Sequence, residues 1–318
     1  MYGKSYTLKK GSFLSADGTN RVAYYIFVPY KTPTAILQIS HGMSEHIMRY
    51  EPFADFLCEC GVVVCGNDHL GHGNTAADDA SLGYIAPRGG ADLMVADLKK
   101  MTELIRAEYE SFPHILFGHS MGSFLAREYL AAYKDAADAA IISGTAGPES
   151  PTGAGKLAAR LNGKFFGERN RSEFIYKLAF GSYSKKYPKG SSEYLWLSRD
   201  EATQKAYAED KFCGFRFTAS AYCDLFDVLG RVSSKKWAKK INKNTPILMI
   251  SGDMDPVGNY GKGVMEVYRR LKAADVRDVT LKLYADGHHE MLNEINRYDV
   301  FYDILAWLNY HGFVKENY

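Results

Sequence analysis

The chain has 318 residues, of which 46% are hydrophobic and 24% charged, with a formal net charge of +2. These values exclude a disordered chain, and at this size roughly three quarters of the unfolded surface can be buried without help from disulfides or metals. No uncharged apolar run approaches the roughly 20 residues that span a bilayer, which excludes a helical membrane protein on sequence grounds. The elements then read off in order. Ser5 to Pro29 predicts two antiparallel strands turned at Asp17-Gly18, because aromatic and β-branched residues flank a strong turn signal. Strands are expected at Ala35–Ile39, Val62–Cys65, His114–Phe117, Ala139–Ser143, Pro246–Ile250 and Val279–Tyr284. Helices are expected at Tyr50–Cys60, Ala91–Glu108, Met121–Tyr133, Gly261–Ala273 and Glu290–Tyr310. Short apolar runs alternating with amphipathic segments predict an α/β chain, a mostly parallel eight-stranded sheet with helices on both faces.

The alternation breaks between Pro148 and Lys243, where Gly-rich, aromatic and basic stretches read as short helices. The expected organisation is therefore a core at 1–147 and 244–318, with a helical cap insertion at 148–243. The insertion carries 19 Lys and Arg against 10 Asp and Glu, while the remainder carries 20 against 27. Such a charge run reads either as a solvated basic face over an aromatic core or as a surface that attracts anionic lipid or an acidic substrate. No nucleic-acid motif accompanies it, so nucleic acid is not an expected partner. The first 20 residues lack the regions of a signal peptide. Five scattered cysteines, Cys58, Cys60, Cys65, Cys213 and Cys223, suggest reduced thiols and a cytoplasmic protein. No zinc-binding spacing surrounds them, so neither a metal nor a cofactor is expected.

Gly118-His119-Ser120-Met121-Gly122 matches Gly-x-Ser-x-Gly between a predicted strand and a predicted helix. On such a turn the serine is strained and projects outward, and the helix N-terminus presents free amides to a developing oxyanion. Gly118 and Gly122 are needed because side chains there would strike neighbouring backbone. A serine nucleophile needs a base, and the base needs a carboxylate to orient it. In this fold the chain order is serine, acid, histidine, each after a later strand. The loop after Pro246–Ile250 offers Asp253 and Asp255, and the loop after Val279–Tyr284 offers His288 and His289. Spacing leaves both choices open.

At these residues the chain resembles the monoacylglycerol lipase and lysophospholipase branch of the α/β-hydrolases, over nearly its whole length. His41-Gly42-Met43-Ser44-Glu45-His46 followed by Arg49-Tyr50, Asp68-His69-Leu70-Gly71-His72-Gly73, Gly252-Asp253-Met254-Asp255 and His289-Glu290-Met291-Leu292-Asn293-Glu294 are similar to that branch's motifs. The resemblance implies Asp255 as acid, His289 as base, and an oxyanion hole made by the backbone amides of Met43 and Met121. His41, Gly42, Glu45, Asp68 and His72 are expected to brace loops, with His119 beside the nucleophile. The expected activity is hydrolysis of carboxylic esters with an apolar acyl chain, of monoacylglycerol or lysophospholipid type, through an acyl-enzyme on Ser120. An aminopeptidase or an acyltransferase could use the same triad. A non-catalytic receptor would have no use for it.

Overall fold

A computed structural model describes residues 3–135, 137–148, 152–188 and 191–314. Eight strands form one sheet: β1 (Tyr6–Leu14), β2 (Arg21–Pro29), β3 (Ala35–Ser40), β4 (Val62–Asn67), β5 (His114–His119), β6 (Ala139–Ser143), β7 (Ile247–Gly252) and β8 (Val279–Tyr284). Their spatial order is β1-β2-β4-β3-β5-β6-β7-β8. β1 pairs antiparallel with β2 and β2 antiparallel with β4, and every later pairing is parallel. β3 to β7 are buried along their whole length, as parallel strands covered on both faces must be.

Successive residues of those strands face opposite layers. Leu116, Ala140, Ile142 and Met249 join the core under α2 (Gly90–Glu108), α3 (Met121–Ala132) and α8 (Lys262–Ala273). Ile115, Phe117, Ile141 and Ile250 join the core under α1 (Glu51–Glu59) and α9 (Arg297–Tyr310). This is the period-two pattern of a sheet between two helical layers. The final helix starts at Arg297, not at Glu290 as expected, because residues 288–296 are committed elsewhere. The Glu290 amide donates to Leu197 O, and Met291–Asn293 make a single 3-10 turn.

Between β6 and β7 the chain forms α4 (Thr152–Phe166), α5 (Glu173–Phe180), α6 (Glu201–Glu209) and α7 (Ala219–Val232). Two of these are four turns long, longer than the short helices expected there. Side-chain bonds tie α7 to the core. Asp224 Oδ1 accepts from the Gly90 amide at the start of α2, 2.9 Å away. Buried Arg127 of α3 donates to Val232 O at the end of α7 and stacks on Trp237. Burial in this apolar setting lowers the Arg127 pKa to about 9. Even so the guanidinium stays charged at neutral pH and holds the layers together.

Candidate active site

The site is built where β5 turns into α3. Ser120 sits at that junction with φ 52° and ψ −122°, a left-sided conformation that costs a non-glycine residue energy. The strain is held in place by hydrogen bonds on both sides. The Ser120 amide donates to Ser143 O, and its carbonyl accepts from the amide and hydroxyl of Ser123. A Cβ on Gly122 would lie 2.0 Å from Ser40 O and 2.4 Å from His41 O. Both are backbone atoms that cannot step aside. Gly122→Ala should therefore cost about 1–3 kcal/mol or more and displace the turn. Gly153, which has open space around it, is the control. Chemical denaturation that showed no difference between the two alanine variants would contradict this packing.

The loop after β3 approaches the same serine. A Cβ on Gly42 would be 3.2 Å from Ser120 Cβ. Among the described residues, neither the Met43 nor the Met121 amide donates to an acceptor of the chain. The loop's shape is fixed by groups behind it. His41 Nδ1 bonds Gly42 O at 2.8 Å, and its Nε2 accepts from the His69 amide at 2.9 Å. Burial lowers the His41 pKa to about 3 and that of His72 likewise, so both are neutral braces. Asp68 accepts from the amides of Ile47 and Asn74. The Glu45 carboxylate accepts from the Gly42 amide and from the Tyr50 hydroxyl.

Of the two aspartates and two histidines, the structure joins one pair. His289 Nδ1 lies 2.9 Å from Asp255 Oδ2, and both side chains are almost fully buried. Burial by itself would lower the His289 pKa, but the Asp255 charge and hydrogen bond outweigh it, and the net shift is upward. Asp255 Oδ1 also accepts from the Val257 amide. His288 is turned away, with Nδ1 on Leu195 O at 2.5 Å and its amide on Glu294. No hydrogen bond joins Asp253 to either histidine, and its amide closes the turn on Tyr284 O. His119 packs on His289 with ring centroids 4.7 Å apart. Burial, followed by the charge of His289, lowers its pKa to about 4, so it adds no competing cation.

Three features were not assigned a role from the sequence. Arg49 forms a two-pronged ion pair with Glu290 and a third bond with Glu45, each at 2.7 Å. All three side chains are 10% exposed or less, which makes this a buried bridge from the loop after β3 to the residue after His289. The Arg49 guanidinium stacks on Tyr207, whose hydroxyl donates to Ser44 O. Trp196 lies beside His289 at 5.3 Å and accepts its amide through the backbone carbonyl. Arg49 and Glu290 stand in recognisable motifs, but 241 residues separate them and no local spacing signals their contact.

Ser120, His289, Met43 and Met121 open into a cavity of about 420 Å³ between the core and the inserted helices. Phe124, Ala179, Phe180, Leu225, Phe226 and Leu229 give it an apolar portion, and Tyr176, Tyr183, Tyr194 and Glu193 bring polar groups to the lining. The volume is that of a small-molecule site.

A mostly parallel sheet with a strained serine after its fifth strand, sharing one cavity with the histidine of a buried Asp–His pair, defines an α/β-hydrolase. Residues 31–296 match the family described as serine aminopeptidase, S33, and the chain belongs to that family. Among similar proteins, the monoacylglycerol lipase of Mycolicibacterium smegmatis is 25% identical over 307 residues, covering 96% of this chain and 99% of that one. The human monoglyceride lipase is 27% identical over 304 residues, covering 93% and 89%. A thermostable carboxyl esterase from Bacillus coagulans in complex with glycerol superposes with a TM-score of 0.89 at 28% identity, covering 95% and 98%. Among the described residues no helix is long and apolar enough to cross a membrane.

Proposed function

We propose that this enzyme hydrolyses carboxylic esters of long-chain acids, of monoacylglycerol type, through an acyl-enzyme on Ser120. The observation that carries this reading is the cavity shared by Ser120, His289 and the insertion, with its apolar portion at Phe124, Ala179, Phe180, Leu225, Phe226 and Leu229. Such a pocket shelters an alkyl chain from water, and each buried methylene is worth about 0.8 kcal/mol. The names of the two lipases and of the esterase bound to glycerol agree with an acyl–glycerol bond as the target.

In this mechanism Ser120 Oγ attacks the ester carbonyl while His289 Nε2 takes its proton. The developing oxyanion is received by the Met43 and Met121 amides, which are not spent on the chain itself. Asp255 fixes the His289 tautomer through Nδ1 and stabilises the imidazolium. The same proton goes to the leaving alcohol, and a water activated by His289 releases the acid.

His289 must be neutral to act as base, and its pKa is raised. The acid limb of kcat/KM should therefore fall above the ordinary histidine value of about 6.5, with activity lost as pH drops through it. Asp255→Asn removes the raising charge, so the limb should move to lower pH as the rate collapses. A wild-type limb below the ordinary histidine value would contradict the pairing.

A series of p-nitrophenyl esters, run beside monoacylglycerol and lysophosphatidylcholine, tests the acyl preference. A rise in kcat/KM from acetyl to longer chains is expected. Activity confined to acetyl and butyryl esters would leave an esterase but remove the lipid part. Aminopeptidase chemistry has less support, because a substrate amine needs a free carboxylate. Of the three carboxylates lining the cavity, the two buried ones nearest the oxyanion loop and His289, Glu45 and Glu290, are both spent on Arg49, and the third, Glu193, is exposed on the inserted segment.

The same reading includes a lipid surface as the source of substrate. Leu157, Leu161 and Phe165 recur every fourth residue along α4 and are 59%, 47% and 71% exposed. Phe174 and Leu178 repeat the spacing on α5. Exposed Arg160, Lys164 and Arg169 border them, which suits anionic lipid. Vesicles containing phosphatidylserine should co-sediment the enzyme, and Phe165→Ser with Phe174→Ser should weaken that binding without altering hydrolysis of a soluble ester.

A further inference from the structure

His46, Asp210 and Cys213 come together from distant parts of the chain, with one possible ligand atom of each within 4.8 Å of the others. From this geometry we infer that these three side chains form a site for a thiophilic divalent cation of the zinc type, joining the loop after β3 to the insertion. The proposal is independent of the reaction at Ser120.

The arrangement follows from local structure on each side. Asp210 ends α6, and the Cys213 amide donates to Asp210 O, so a single turn brings the carboxylate and the thiol to one side. The second Asp210 oxygen accepts from the Phe212 amide at 2.8 Å, which fixes the carboxylate's direction. His46 enters from the loop after β3, with its ring against Phe212 and Nε2 2.8 Å from Asp210 Oδ2. One nitrogen, one sulfur and one oxygen donor are a donor set zinc accepts, with water at the fourth position. Tetrahedral bonds of the usual lengths would put these atoms roughly 3.3–3.6 Å apart, so side-chain adjustments suffice.

The local charge favours a cation. Asp210, Glu45 and Glu290 all act on Cys213 against a single Arg49, which is already paired. Lys211 lies on the chain between the ligands, but it reaches out toward Asp79 and over the Phe212 ring. Cys213 is a buried thiol whose proton binding would displace, so affinity should rise with pH. Solvent reaches the cluster through Asp210, whose side chain is 31% exposed, against 13% for His46.

Position gives the site a consequence. Ser44, two residues before His46, is already held by the insertion: its carbonyl accepts from the Gly214 amide and the Tyr207 hydroxyl, and its own hydroxyl donates to Phe215 O. A cation on His46, Asp210 and Cys213 would replace the His46–Asp210 hydrogen bond by a stronger tie that also takes in Cys213. It would bind the folded chain and not the unfolded one, and so raise the unfolding temperature with concentration.

The test uses the full chain with zinc chloride, and with cobalt chloride as a spectroscopic probe. The expected results are one zinc per chain by calorimetry, a zinc-dependent rise in unfolding temperature, and a thiolate-to-cobalt charge-transfer band. Cys213→Ser and His46→Gln should each weaken binding by at least about tenfold, whereas Cys223→Ser, outside the cluster, should not. Three outcomes overturn the proposal. These are no saturable zinc binding, a cobalt spectrum without a thiolate band in the unmodified chain, or binding that survives loss of Cys213 and His46 undiminished. The cobalt spectrum needs no variant, so a misfolded mutant does not leave the question open.

Discussion

Ser120→Ala is expected to lower kcat for any ester substrate by roughly ten-thousand- to million-fold, while leaving folding nearly intact. The size follows from what a hydroxyl does at this turn. With the nucleophile gone, the remaining catalysis comes from binding and from the two amides, and water must attack without a covalent intermediate. Stability should change little, because the strain at φ 52° sits in the backbone and the Ser120 amide and carbonyl keep their bonds to Ser143 and Ser123. The measurement is single-turnover hydrolysis of a p-nitrophenyl ester on protein of matched unfolding temperature, beside labelling by a fluorophosphonate probe. Full labelling of the alanine variant, or activity within tenfold of wild type, would exclude Ser120 as nucleophile. His289→Ala should lose a comparable factor, and the double variant little more, since the two act as one unit.

The core was legible because its signals are local. The apolar runs that became β3 to β7 and the helices between them stand where alternation placed them, since buried parallel strands leave little freedom in composition, and the half-exposed edge strand β8 followed in the same alternation. The turn at Ser120 was equally local, with its strand, its glycines and its helix contiguous. The partners were harder. Asp253 and Asp255 share one loop, and His288 and His289 are adjacent, so spacing could not separate them. The hydrogen bonds do, with Asp255 on His289 and His288 on Leu195 O. The helix expected from Glu290 failed for a related reason. A helical pattern can be read through residues 290–296, yet their backbone and side chains are claimed by Leu197, Arg49 and Ser198 across the fold. Long-range ion pairs, and the meeting of His46 with Asp210 over 164 residues, leave no periodic trace at all.

The bridge made by Arg49 leads to the second large effect. Arg49→Met should destabilise the chain by about 3–5 kcal/mol, because it strands Glu45 and Glu290 as buried carboxylates with no cation. Burial pushes the Glu45 carboxyl up, and the Arg49 guanidinium, with smaller help from His119 and the bonds from Tyr50 and Gly42, carries it below the usual carboxylate range. Without Arg49 that balance reverses. The carboxyl's pKa should rise, and its hold on the Gly42 amide should loosen. The loss would reach catalysis through Met43, the next residue, whose amide must stay in place for the oxyanion. A misplaced donor of this kind typically costs about a hundredfold or more in rate. Arg49→Lys should recover little, since a single ammonium cannot serve Glu290 with two parallel bonds and Glu45 with a third. The charge-neutral variant Arg49→Met with Glu290→Gln should regain part of the stability but not the rate, because Glu45 still lacks its cation. That split distinguishes a residue that positions the oxyanion loop from one that merely packs. Equal recovery of stability and kcat in the double variant would reduce Arg49 to a structural ion pair.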